Sequence, residues 1–102
     1  MVAVSGTAPI WPDGSCDPSA SAQAARCLEI IGEALDGLGG TLADVVRTRM
    51  YIVDAEHQDA VGEAHRAVFD EIRPASTILV VARLLDDRWK VEIEAEAHLR
   101  RL

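Results

Sequence analysis

The stretch Val91-Glu92-Ile93-Glu94-Ala95-Glu96-Ala97 alternates apolar and acidic residues without a break. Extended backbone points successive side chains to opposite faces, so this segment forms a strand with one apolar and one carboxylate face. Burying the first face and leaving the second polar is the ordinary arrangement of an antiparallel sheet. Three like charges on one side repel each other unless water or cations relieve them. Two readings stay open on this pattern. The carboxylate face is either bathed in solvent or it lines a polar cleft that holds a substrate or a water.

The rest of the chain supplies partners for that strand. Residues 2–10 read as a short strand interrupted at Ser5-Gly6, where a missing Cβ permits a bulge or a close neighbour. Trp11-Pro12-Asp13-Gly14-Ser15 is a turn, and Asp17-Pro18 reads as the cap and first residue of a helix. Ala24, Cys27, Leu28, Ile31, Leu35 and Leu38 recur at three- and four-residue steps, one apolar stripe that Gly39-Gly40 terminates. Thr41-Leu42-Ala43-Asp44 has the character of a capping box. Residues 45–53 follow as a strand, with Val46, Thr48, Met50 and Ile52 on one face and Val45, Arg47, Arg49, Tyr51 and Val53 on the other.

Asp54 caps a second helix striped by Val61, Ala64, Val68 and Ile72. Pro74 ends that helix and biases Arg73 towards extended backbone. Residues 77–85 are almost continuously apolar, the pattern of a central strand covered on both faces. Asp86-Asp87-Arg88 makes a turn into the closing strand, residues 89–98. The order strand, helix, strand, helix, strand, strand is an α+β layout with two helices on one face of a small sheet. The 102 residues suffice for one domain, spanning 1–102, with one core.

Charge narrows the function classes. A net charge of -7 opposes a nucleic-acid footprint, which requires clustered Lys and Arg. No basic amphipathic helix, apolar span or basic leader is visible, so the expectation is a cytoplasmic protein without a membrane partner. Aromatic residues make up only 4% of the chain, so the core is thin and aliphatic, which favours oligomerisation. Cys16 and Cys27 fit no zinc spacing; two reduced thiols are expected, and a disulfide between them stays open. His57, His65 and His98 show no metal-binding spacing, and no nucleophile elbow or phosphate loop is present. Arg47 and Arg49 share a strand face. If it adjoins the glutamates, the pairs form either a solvated ladder or the lining of a pocket for a carboxylate-bearing small molecule.

Several segments, in order and at fitting spacing, resemble the RidA/YjgF family, small proteins that hydrolyse reactive enamine and imine intermediates. They are Ser5-Gly6, Gln23, Asp44-Val45-Val46-Arg47-Thr48, Asp54, the Phe69 helix ending in Arg73-Pro74-Ala75, and Val91-Glu92-Ile93-Glu94-Ala95. The resemblance implies a chorismate-mutase-like, RidA-like α+β protomer that forms a homotrimer, with ligand pockets in the clefts between subunits. It implies no metal and no cofactor. In deaminating members a glutamate matching Glu92 positions the attacking water, and an arginine directly after the Pro-Ala pair anchors the substrate carboxylate. Ser76 stands at that arginine's position, and Ile78 where a cysteine is common. The chain begins where the family's second strand normally starts, so the expectation is a protomer without the preceding, tyrosine-bearing strand. The resemblance therefore implies an enamine/imine deaminase, a hydrolase of C–N bonds. Glu92 would orient water, Ser76 and Thr77 would contact substrate, and Arg73 or Arg49 would replace the anchor. The alternative is a non-deaminating small-metabolite-binding homotrimer on the same scaffold.

Overall fold

A computed structural model describes residues 1–99. Its elements run β1 (Val2–Thr7), α1 (Ala20–Asp36), β2 (Val45–Ile52), α2 (Gln58–Phe69), β3 (Ala75–Val80) and β4 (Val91–Ala97), the order expected from the sequence. The four strands form one sheet in the order β1-β4-β2-β3. β4 pairs antiparallel with both β1 and β2, whereas β2 and β3 run parallel because α2 carries the chain back between them. This is the α+β fold that the sequence pattern called for.

The alternation in β4 decides which face the helices cover. Val91, Ile93, Ala95 and Ala97 are buried, and each intervening glutamate is only partly so. Ala24, Cys27, Leu28, Ile31 and Leu35 of α1 pack into the same core, so helix stripe and strand face meet as their periods require. Leu38, assigned to that stripe, lies beyond the helix end and is exposed. The Ser5-Gly6 interruption is a bulge, seen as a register shift between Val4 and Thr7 against β4.

Five local expectations need correction. α1 starts two residues late: Ser19 is its cap, accepting from the Ala22 amide, while Asp17 Oδ1 accepts from the Ser19 amide. Asp54 caps a short 3-10 turn, Ala55–His57, so His57 precedes α2 and does not share it with His65. A second irregularity between Val45 and Arg47 turns Val45 into the core and leaves Val46 exposed, reversing both assignments. Arg73 is left-handed, with φ 54, because it closes the end of α2 through its amide to Phe69 O. The apolar run 77–85 does not make a central strand. β3 stops at Val80 and is an edge strand, with Leu79 43% and Val80 59% exposed. Within the protomer these two side chains are covered only in part, which an apolar run alone does not reveal.

Candidate functional site

The sheet carries chemistry on each of its faces. On the face away from the helices, Glu92, Glu94 and Glu96 of β4 stand opposite Tyr51, Arg49 and Arg47 of β2. Arg49 Nη1 lies 3.4 Å from Glu94 Oε1 and 3.2 Å from Glu96 Oε1, and Tyr51 OH donates to Glu94 Oε1 at 2.5 Å. The bond to Glu96 raises the Arg49 pKa, and the bond to Glu94 raises that of Tyr51, since each stabilises the protonated partner. The expected cross-strand relief thus exists, but Arg49 provides it; Arg47 makes no ion pair among the described residues.

Glu92 is different. Among the described residues its carboxylate has no hydrogen bond and no ion pair. It lies directly over Gly6, where a Cβ would collide with Glu92 Oε2. The glycine in the β1 bulge therefore makes room for this carboxylate, and the neighbouring cation is occupied elsewhere. Thr77, in register with Arg49, shares this face.

Ser76 does not. It is in register with Thr48, whose fully buried hydroxyl lies 2.8 Å from His65 Nε2 on α2, so Ser76 belongs to the helix side. There it helps line a cavity of about 440 Å³ between α2 and β3, together with Gly62, His65, Arg66, Phe69 and Arg73. The His65 and Phe69 rings stack at 4.6 Å, tilted by 41°. Burial pushes the His65 pKa down from 6.5. Arg73 Nε donates to Asp70 O at 3.0 Å, which fixes the head of that side chain at the rim.

The anticipated site residues therefore fall into two groups. Glu92, Arg49 and Thr77 share the glutamate face; Ser76 and Arg73 share the cavity on the other side. Residue-by-residue reading of the chain missed Gly62, His65 and Arg66 as cavity lining and Tyr51 as a partner of Glu94. Both cysteines are free thiols, and burial pushes the Cys27 pKa up to about 12. Among the described residues no cluster of His, Cys, Asp and Glu is arranged to hold a metal ion, and no helix is long and apolar enough to cross a membrane.

Residues 1–99 match the family described as Endoribonuclease L-PSP. The chain belongs to the RidA/YjgF family. Within it, the chain is 35% identical over 101 residues to a 2-iminobutanoate/2-iminopropanoate deaminase of Salmonella typhimurium, covering 95% of this chain and 78% of that protein. The crystal structure of Rv2704 from Mycobacterium tuberculosis, a YjgF/YER057c/UK114 family member, superposes with a TM-score of 0.86 at 38% identity, over 95% of this chain and 77% of the other. The YjgF gene product of E. coli gives a TM-score of 0.88 at 32% identity, over 97% and 80%. These RidA/YjgF structures share the α+β architecture described above.

Proposed function

We propose that this protein hydrolyses reactive imines of small 2-amino-acid-derived acids, in the cytoplasm, in a cleft formed between copies of itself in a homotrimer. The observation that carries this reading is the state of Glu92. Of three glutamates on one strand face it alone is left unneutralised among the described residues, and a glycine is set beneath it. A carboxylate already paired with arginine is a poor proton acceptor, whereas a free one at a sheet surface can hold and deprotonate water.

The chemistry asks little more. Protonation of an imine nitrogen makes its carbon electrophilic. Water held by Glu92 adds to that carbon while the C=N π pair moves onto nitrogen, and Glu92 takes the water proton and returns it to the amine. Glu92 then takes the proton of the newly added hydroxyl while that oxygen closes the C=O bond. The C–N bond breaks with its electron pair leaving on ammonia, and a 2-oxo acid remains. Positioning and proton transfer supply the acceleration. The deaminase name borne by the Salmonella relative supports the reaction class.

Glu92 and the Ser76 cavity lie on opposite faces of one sheet, so no single protomer can apply both to one small molecule. A shared site takes the glutamate face of one copy and the α2–β3 edge of the next. The exposed apolar residues of β3 favour such a contact. A ribonuclease reading, suggested by the family's description, runs against a net charge of -7 and a sheet face rich in glutamate.

Freshly generated 2-iminobutanoate provides the test, with semicarbazone formation reporting the imine that survives. Catalysis appears as a loss of semicarbazone that Glu92→Gln abolishes while the assembly stays intact. Semicarbazone yields equal to those in buffer would remove the deaminase reading for this substrate. Ser76 favours a second reading, a binding protein without turnover. A hydroxyl cannot grip a carboxylate as a guanidinium does, and losing such an anchor costs on the order of 2–5 kcal/mol. That reading predicts ligand binding with no acceleration.

A further inference from the structure

We propose that Arg66 and Arg73 together form a two-guanidinium clamp, inside the cavity between α2 and β3, for the carboxylate of a small 2-oxo or 2-imino acid. The inference rests on that cavity being part of the proposed cleft, and it assigns the ligand's anionic end to residues on the helix and its terminus.

Several observations support it. Arg26, Arg49 and Arg88 are all committed to ion pairs, whereas among the described residues Arg66 and Arg73 make none and line the same cavity. Asp70 also lines it, so one carboxylate faces two guanidinium groups and the cavity keeps a net positive charge within an acidic chain. Arg73 is, among the described residues, the one non-glycine with positive φ, at a helix terminus where glycine is the cheap choice. Backbone strain of this kind persists where the side chain is needed. Its Nε is fixed on Asp70 O, which leaves the two terminal nitrogens to grip a carboxylate in parallel. Finally, Gly62 leaves its wall open, with no atom within 4 Å of a Cβ there, and about 440 Å³ suits a small metabolite.

Isothermal titration of the full chain with 2-oxobutanoate, the stable product of the proposed reaction, tests the clamp against the neutral 2-oxobutanamide. The acid should bind and the amide should not. Arg66→Gln and Arg73→Gly should each weaken binding about tenfold or more, as expected when one partner of a charge-assisted pair is lost. Arg73→Gly should melt no lower than the unaltered protein, because glycine relieves the strained φ. Arg66 is exposed, so Arg66→Gln keeps the fold and decides the matter if Arg73→Gly does not. Equal affinity for acid and amide, or undiminished affinity in Arg66→Gln, overturns the clamp. Turnover is read separately with 2-iminobutanoate. Binding that follows the predicted pattern without turnover sinks the deaminase reading and leaves the clamp standing; turnover with unchanged binding in the arginine variants does the reverse.

Discussion

A group that passes a proton to and from a bound molecule has to be held in place without being neutralised, and in the proposed reaction Glu92 would owe both conditions, at the residue level, to Gly6 and Arg49. Gly6 gives the carboxylate its seat, and Arg49 is occupied by Glu94 and Glu96. Gly6→Ala should therefore push the carboxylate aside. We expect turnover to fall about tenfold or more while stability shifts by no more than about 1 kcal/mol, since the displaced atoms end a flexible side chain. Imine hydrolysis beside a urea titration checks both halves. His65 makes a different prediction. Its folded pKa is depressed by burial, so the unfolded chain takes up a proton first as pH falls. The stability held by neutral His65 is complete above the unfolded value of 6.5 and is lost as pH drops towards the folded one. The urea midpoint should decline as pH falls below 6.5, the unfolded value, and His65→Gln should flatten part of that decline. An identical slope in the variant would show that His65 contributes nothing to it.

Among the elements, α2 shows why some of this was visible in the sequence and some was not. Its stripe Val61, Ala64, Val68 stood out because apolar spacing reports burial. The adjoining stripe Gly62, His65, Arg66, Phe69 has the same three- and four-residue steps, but it mixes a glycine with polar residues and so left no hydrophobic signal. In β4 the strict alternation was enough to assign both faces, because backbone geometry alone enforces it. In β2 the reversal at Val45 and Val46 was hidden, since a bulge is defined by the partner strand. The run at β3 was misplaced for a related reason: an apolar run does not report the strand's place in the sheet, and this one lies at an edge with Leu79 and Val80 exposed. Gly62 allows a direct measurement on α2. A Cβ there meets nothing within 4 Å, and glycine inside a helix carries an entropic penalty. Gly62→Ala should therefore raise stability by about 0.5–1 kcal/mol in denaturant unfolding. A destabilised variant would mean that the cavity wall is tighter than its geometry indicates.

For the whole molecule the decisive question is whether two faces that one protomer keeps apart are brought together by its copies. β3 offers an unpaired edge with Leu79 and Val80 exposed, next to the glutamate face, and such an edge invites a partner. Light scattering should accordingly give three times the protomer mass, and Leu79→Glu should lower it. Mixing tests the geometry more sharply than mass does. Glu92→Gln removes the proposed water-holding group, and Arg66→Gln weakens the proposed carboxylate grip, so with substrate well below saturation each variant alone should keep no more than about a tenth of the unaltered activity. If every cleft takes Glu92 from one copy and Arg66 from the next, an equal mixture reassembled from unfolded chains contains clefts with both groups intact. Random assembly of a closed ring makes these about one quarter of all clefts, so about a quarter of the unaltered activity should return. A site confined to one protomer can regain nothing, because every chain in the mixture carries one of the two defects. Reassembled mixtures no more active than the separate variants would therefore confine catalysis to the single chain, and the opposite placement of Glu92 and Ser76 would then make their cooperation on one substrate impossible.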